Sequence, residues 1–542
     1  MTPGELALLP KGHWEDVLRD FRWEIPRGFS ITEACCDRWA RFDPDRAAII
    51  DVDANGEKTV WSFGRLKSES DALAATLRAS GVVRGDRVGI LLSQRPEVMV
   101  AHFAAHKLGA VSLPLFTLFG ADALEYRLAD SGASAVVTDA EQLEKLLSVA
   151  GATSVETVVA LDAKWPQSSK PEVIRWDAAV SAVPLAVPEP VGPDDPAVMI
   201  YTSGTTGAPK GALHGHRFLL GHLPSVEMVL ERPREGDVAW TPADWAWIGG
   251  LMDLAMPALY FGLPLVSHRM RKFEAEAAYA LMCDLGVSIA FLPPTALKLM
   301  RGTPVPEGMR LRAIGSGGES LGADLLSWAE ETLGAGINEL YGQTECNLVV
   351  SSSRELGVGK PGTMGMPVPG HEVAVMGPDG ARLPAGEVGE ICVKAPDPVM
   401  FLGYWNKPEK TAEKFRDGWL LTGDLGSVDE DGYLTYSSRD DDVITSAGYR
   451  IGPTEIENCL SGDEDVVMAA CVGVPDDVRG EIVKAFVVLR EGASKDGAEE
   501  RLIARVKARV SPHVAPRAMA FVDDLPKTAT GKIMRRALRG DG

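Results

Sequence analysis

The stretch Tyr201-Thr-Ser-Gly-Thr-Thr-Gly-Ala-Pro-Lys210-Gly211 gathers Gly204, Gly207, four Ser/Thr hydroxyls and one lysine into a single short loop. That composition suits a polyphosphate: glycines let backbone N–H groups approach oxygens closely, hydroxyls donate further hydrogen bonds, and the lysine supplies charge. The commonest nucleotide loop, G-x-x-x-x-G-K-[ST], is excluded, because Gly204-x-x-Gly207 is followed by Ala208-Pro209 before Lys210. Alone, the loop fits a phosphate cradle and a flexible Ser/Gly connection equally. Further along stand Gly315-Ser-Gly-Gly-Glu319-Ser320, Tyr341-Gly-Gln-Thr-Glu345, Thr422-Gly-Asp424 and Pro526-Lys-Thr-Ala-Thr-Gly531-Lys532. Singly, these too read as ordinary turns, a solvated helix and a basic tail.

The elements around these residues follow a rhythm. Short Val/Ile-rich runs alternate with Ala/Leu-rich helical stretches, as in Arg87–Leu92, Gln94–Leu108 and Ala110–Leu115, which is the β-α-β pattern of a parallel sheet covered by helices. Ala135–Thr138 reads as another strand, and Pro196–Tyr201 as the strand that feeds the Gly/Thr loop. From about residue 370 the texture changes to short strands separated by turns such as Asp379-Gly380, Asp417-Gly418 and Asp431-Gly432. After Arg439 a tail of about 100 residues resumes mixed patterning, a size suited to a small domain. The expected architecture is therefore α/β. A large N-terminal domain of layered sheets spans 1–438, with a β-rich subdomain from about 370 to 438. A hinge at 439–442, at the acidic run Asp440-Asp441-Asp442, leads to a small mobile α+β domain over 443–542.

A chain of 542 residues exceeds the size of one hydrophobic core, which requires more than one folding unit. A hydrophobic fraction of 45% with 24% charged residues excludes a disordered or fibrous protein. The net charge of −21 argues against a nucleic-acid partner, so an anionic ligand must meet local cations or aimed N–H groups. Seven scattered cysteines without metal-type spacing fit a reducing, cytoplasmic setting. The N-terminus lacks a basic region followed by an apolar run, and Val98–Phe116 is interrupted by His102, His106 and Lys107. Neither is expected to enter a membrane, and the second is expected as a buried helix followed by a strand.

Taken together and in order, these motifs resemble those of the adenylate-forming superfamily of acyl-CoA synthetases, luciferases and peptide-synthetase adenylation domains, from about residue 30 to the C-terminus. The resemblance implies an AMP-forming enzyme that activates a carboxylic acid with ATP and Mg²⁺ and passes the acyl group to coenzyme A. It places ATP or AMP on Thr202, Ser203, Gly204, Thr205, Thr206, Gly207 and Lys210, and on Gly318, Glu319 and Ser320. It adds Glu339, Leu340, Tyr341, Gly342, Gln343 and Thr344, then Asp424, Arg439 and Lys532. Tyr341 offers an aromatic face for adenine, and Asp424, assisted by Arg439, accepts from the ribose hydroxyls. Glu345 is the implied Mg²⁺ ligand. Lys210, Thr344 and Lys532 are the implied catalytic residues, with Lys532 bringing a compact cation to the carboxylate and α-phosphate as negative charge builds there. Asp441 falls at the superfamily's hinge. Ala447, Gly448 and Tyr449 resemble the strand and loop lining its thiol tunnel, and Arg479 and Arg517 its CoA-phosphate contacts.

The similarity is greatest to medium-chain acyl-CoA synthetases. Acetate-specific relatives carry a tryptophan where Gly342 stands, which implies an acid larger than acetate, whether medium-chain, branched or aromatic. On this reading Gly342→Trp shifts preference toward acetate or propionate. Trp247 resembles the aromatic wall of the acyl site, Arg450 a partner for the phosphoryl or carboxylate side, and Trp245 core packing. Asn347 adds a polar group at the acyl end or bonds nearby backbone, and Cys346 reads as packing. His513-Val514 departs from the Tyr-Lys pair common in relatives before Arg517. Two rival readings are an adenylating enzyme serving a carrier-protein thiol, disfavoured by the lack of a carrier domain before Gly542, and a nucleotide sensor, expected to lack Lys532 or Glu345. The sequence carries no signal for oligomeric state.

Overall fold

In a computed structural model, residues 1–162, 171–202, 208–318, 321–439, 442–446, 449–476, 479–528 and 532–539 are described. Among them the chain forms four sheets. One has eight strands, ordered Gly403–Tyr404, Lys210–Gly215, Pro196–Thr202, Val111–Pro114, Arg87–Leu91, Ala135–Asp139, Thr157–Leu161 and Glu172–Arg175. Its strands are parallel from Pro196–Thr202 to Glu172–Arg175, and the hairpin from Pro196 to Gly215 is antiparallel. The strands that flank the Gly/Thr stretch are therefore antiparallel neighbours.

The second sheet has nine strands, with Ile337–Tyr341, Ala313–Gly317, Ile289–Phe291, Ala239–Trp240, Leu265–His268 and Ala47–Val52 side by side in parallel. Between the two large sheets lie helices that are apolar nearly all round. Every residue of Pro96–Lys107 and of Phe218–Val229 is buried, as such a composition requires. The segment from 98 to 116 thus forms a buried helix and then the strand Val111–Pro114, as expected. Its charged member, Lys107, survives burial because Nζ lies 3.0 Å from Asp37, 2.5 Å from Asp71 and 2.9 Å from Ser70.

The β-rich part is an antiparallel sheet of Val373–Met376, Gly389–Lys394, Trp419–Val428, Phe415–Arg416 and Leu434–Arg439. Its tightest turn is Asp417-Gly418, where both residues have positive φ, 50° and 78°, matching the twist of the flanking strands. The C-terminal sheet is built on the hairpin Val466–Asp476 and Gly480–Leu489, with Ala518–Phe521 parallel to the latter. Helices Pro453–Ser461 and Ala498–Arg509 contribute to one apolar cluster, and the last helix, Arg535–Arg539, contributes Leu538 to another. No helix among the described residues is long and apolar enough to cross a membrane.

Candidate active site

The loop neck is held from both sides. Thr202 faces Lys210 and Tyr201 faces Gly211 across the hairpin. Tyr201 donates its hydroxyl to Asp130 (2.7 Å), Asp130 also takes Lys407 (2.8 Å), and Tyr126 donates to the Pro209 carbonyl (2.9 Å). Ser203, Gly204, Thr205, Thr206 and Gly207 lie outside the described residues. Lys210 projects from the neck with Nζ 4.3 Å from the Tyr404 ring centre. Burial lowers its pKa, Glu345 opposes that shift, and Lys414 and Lys410 reinforce it.

Glu345 is buried, and Tyr404 donates its hydroxyl to Oε1. No group of three or more His, Cys, Asp or Glu side chains able to hold a metal occurs among the described residues. A single carboxylate with one oxygen already engaged fits a Mg²⁺ that draws its other ligands from phosphates and water. Thr344 sits in the turn immediately before it, half-buried.

Tyr341 closes the strand Ile337–Tyr341 and donates to Asp424 Oδ2 (2.8 Å). Gln343 Nε2 donates to the same oxygen (2.5 Å) and to the Thr422 carbonyl (2.8 Å). Asp424 and Arg439 are register partners, and their Oδ1 and Nε are 3.2 Å apart. Asp424 Oδ1 is buried without a hydrogen bond, an acceptor left over in the site. Leu340 packs on Gly317, where a Cβ would meet its Cδ1 at 2.3 Å. Burial pushes the Glu339 carboxyl up to about 7, although the Leu321 N–H bonded to it opposes this.

Lys532 meets these residues from the far end of the chain. A Cβ built on Gly318 would stand 3.7 Å from Lys532 Cε and 3.7 Å from the Trp247 ring, and Gly318 has φ 95°, so it is the backbone conformation, rather than lack of room, that favours glycine here. The turn bearing Lys532 is closed by Thr528 N–H donating to the Lys532 carbonyl (2.8 Å) and by Lys532 N–H donating to Thr528 Oγ1 (3.1 Å). Just beyond, Arg535 makes a bidentate pair with Glu457 (2.9 and 2.6 Å) and reaches Asp442 (3.3 Å), which ties the terminal helix to the junction segment. Arg505 to Asp324 (3.3 Å) braces the two halves of the chain against each other.

Trp247 comes from a loop that Gln94 holds by donating to the carbonyls of Thr241 (3.1 Å) and Ala243 (2.5 Å). Its ring covers Gly249, where a Cβ would fall 2.6 Å away, and lies 6.0 Å from Phe291. Trp245, by contrast, is buried in the core. After Gly249 and Gly250 the helix widens into a π turn, Leu251–Ala255, which carries Asp253. Asn347 Nδ2 donates to Asp253 Oδ1 (2.5 Å) and to His222 Nε2 (2.9 Å), while His222 Nδ1 donates to the Phe218 carbonyl (2.7 Å). The Asn347 amide nitrogen is thus spent on two buried side chains and not on nearby backbone. Burial pushes the Cys346 thiol up, in keeping with packing rather than nucleophilic chemistry.

Gly342 requires a correction. A Cβ there would stand 2.3 Å from Leu348 N and 2.8 Å from Asn347 Cα, so backbone fills the space an indole was expected to vacate. We therefore expect Gly342→Trp to lose activity with every acid, as measured by pyrophosphate release over an acid panel; a clean shift to acetate with full rate would show that the 347–348 backbone moves freely.

The remaining sequence-derived residues are less defined. Glu319, Ser320, Asp441, Ala447 and Gly448 lie outside the described residues, and Tyr449 and Arg450 are placed only as backbone in the strand Tyr449–Ile451. Arg479 sits in the hairpin turn with its N–H donated to Asp476 (2.8 Å), and Arg517 is exposed just ahead of Ala518–Phe521. Sequence reasoning missed His222, Asp253, Tyr404, Phe291 and Gln94. Asp253 carried a signal, being the one polar residue in the apolar run Leu251–Ala255, and His222 a weaker one, since its helix also carries Ser225 and Glu227.

Two family descriptions match the chain: AMP-binding enzyme over residues 36–405 and AMP-binding enzyme C-terminal domain over 455–532. An acetyl-coenzyme A synthetase of Bacillus subtilis (strain 168) is 34% identical over 93% of this chain and 89% of its own. The mitochondrial acyl-coenzyme A synthetase ACSM3 of Mus musculus is 30% identical over 97% of this chain and 93% of its own. Among solved structures, the anthranilate CoA ligase AuaEII in complex with anthranoyl-AMP superposes with a TM-score of 0.86 at 26% identity, covering 95% of this chain and 98% of that one. With both halves matched and the lysine of the second resting against the glycine strand of the first, this chain belongs to the AMP-binding enzyme family, among the adenylate-forming acyl-CoA ligases.

Proposed function

We propose that this ligase converts a carboxylic acid larger than acetate to its acyl-CoA through an acyl-adenylate, releasing AMP and pyrophosphate, with Mg²⁺ on Glu345. The observation that carries the reading is the meeting of Lys532, Gly318 and Trp247, which brings the terminal lysine beside the Gly-rich strand end and an aromatic ring. The Mg²⁺ would screen the charge on the phosphates. Asp424 Oδ1 accepts from a ribose hydroxyl, with Tyr341 and Gln343 fixing its carboxylate. Thr344 donates to the α-phosphate. Lys532 holds carboxylate and α-phosphate oxygens together as the acid attacks, in a site where aimed charge costs little reorganisation at the moment of reaction.

A larger acid is supported by the wall of Trp247 and Phe291, and the anthranilate ligase gives an aromatic precedent. The division at 439–442 serves the second half-reaction. Residues 443–542 rotate about Asp441, Lys532 withdraws, and Ala447, Gly448 and Tyr449 admit the thiol while Arg479 and Arg517 hold CoA phosphates. Arg450 steadies the adenylate. Accordingly, Gly448→Leu is expected to spare acid-dependent pyrophosphate exchange and to stop thioester formation; equal loss of both would remove the tunnel role. Seven free cysteines are in keeping with a reducing, cytoplasmic setting.

A panel of carboxylates assayed for pyrophosphate release with and without CoA tests the whole reading. Acid-dependent release followed by a CoA thioester is the expected result. Absence of acid-dependent release, or a thioester only when a carrier protein replaces CoA, would overturn it.

A further inference from the structure

Behind Trp247 lies a polar cluster that adenylate formation does not use. His222 is fully buried, Asp253 is 3% exposed and Asn347 is 5% exposed. Their hydrogen bonds fix one another. His222 donates Nδ1–H to the Phe218 carbonyl, so Nε2 must accept, and the amide that faces it must present N–H. Asn347 then spends both amide hydrogens, one on His222 and one on Asp253 Oδ1. Two acceptors are left over, Asp253 Oδ2 and Asn347 Oδ1. Neither has a hydrogen-bond partner among the described residues, and neither is among the fully enclosed unpartnered atoms. Each therefore keeps a narrow accessible space beside it.

That space belongs to the acyl end of the site. Asn347 is the residue whose backbone crowds Gly342, Asp253 lies on the helix opened by Gly249 under the Trp247 ring, and the charge of Lys532 reaches Asp253. A pocket for plain hydrocarbon would gain nothing from two buried acceptors and would lose their hydration. The cluster is retained at a depth where burial holds the Asp253 carboxyl well above the usual range, with the Asn347 bond and the Lys532 charge opposing that shift. In its neutral form the carboxyl both donates and accepts.

We infer that Asp253 and Asn347 are specificity-determining residues, and that the acid activated here carries an uncharged hydrogen-bond donor, a hydroxyl or an arylamine, at the end away from its carboxylate. His222 is a positioning residue that locks the Asn347 amide. The inference rests on the proposed acid-binding role of this pocket and sharpens it. It also explains why the polar residue sits at 253 on a π turn: the extra residue in that turn re-aims one side chain out of an otherwise apolar helix.

The test uses isosteric acids on the intact enzyme: a hydroxyl- or amino-substituted aromatic acid, its methyl analogue and an alkylammonium acid of similar length, each measured for kcat/KM of pyrophosphate release. The hydroxyl or amino acid is expected to exceed its methyl analogue by about 10²-fold or more, because a site built to bond a polar group leaves its own groups unpaired with the analogue. Asp253→Leu should bring that ratio to about one or invert it, by the same argument. The inference is overturned if the wild-type enzyme handles the methyl analogue equally well or better, or if it selects the alkylammonium acid over both. The wild-type ratio decides the matter even if the variant does not fold. Failure of every acid to release pyrophosphate would instead defeat the proposed function, so the two failures are distinct.

Discussion

Replacing Lys532 by alanine is expected to lower acid-dependent pyrophosphate exchange by about 10²- to 10³-fold, the usual cost of removing one preorganised charge from a transition state. The loss should fall in kcat, with the KM for ATP changed far less, because the proposed adenine and ribose contacts, Tyr341, Gln343 and Asp424, lie on the other half of the chain and bond one another there. Supplied with chemically prepared acyl-adenylate, the same variant should still form thioester, since the second half-reaction does not need that ammonium. An Arg substitution should not restore the rate, because the guanidinium is a planar fork rather than a compact cation and must be accommodated beside Gly318. Retention of exchange within a few-fold in the alanine variant would mean that the approach of Lys532 to Gly318 has no part in the chemistry.

The largest effect on stability is expected far from this site, at Lys107. Its ammonium is 1% exposed and faces Asp37 and Asp71 beneath the eight-stranded sheet. Lys107→Met keeps the packing volume but leaves two buried carboxylates with less counter-charge, a change that costs about 3–5 kcal/mol. Lys67, 2.5 Å from Asp71, pairs directly with that carboxylate and reaches Asp37 only through its longer-range charge. The pH dependence has a definite sign. Burial already raises the Asp37 pKa, with Lys107 opposing it, so a group of this kind supports the fold at low pH and loses that support as pH rises through its folded value. Removing Lys107 lifts that value further. The thermal midpoint of the variant should therefore lie closer to wild type at pH 5 than at pH 8. A gap that is constant or narrows with pH would show that Asp37 is not the group left exposed to the loss.

These two lysines mark the boundary of what can be read along a chain. Lys532 sits in Pro526–Lys532, a run whose Gly and Thr residues mark it in the sequence, and such a run is a local matter. Lys107 declared itself only as an interruption of an apolar stretch. That showed the stretch could not lie in a bilayer but left unnamed its carboxylates at Asp37 and Asp71, which come from separate helices.

The same division runs through the active site. The Gly/Thr loop, Tyr341–Glu345, Thr422–Asp424 and the terminal lysine were legible as motifs of the family because each is contiguous, and short spacing survives in sequence. The helix-strand alternation of the large domain and the Asp-Gly turns of the β-rich part were legible because periodicity and left-handed turn residues are properties of neighbours. What the acid meets was not. His222 and Asn347 are 125 positions apart, Asn347 and Asp253 94, and only the packing of a buried helix against a π turn and a loop makes them one cluster. Gly342 illustrates the reverse case: its missing side chain suggested open space, yet the fold brings the 347–348 backbone into that space. Sequence alone determined the reaction class, because its chemistry is written in contiguous motifs. The tertiary structure decided the shape and polarity of the acyl pocket, because walls assembled from distant segments have no local rule to announce them.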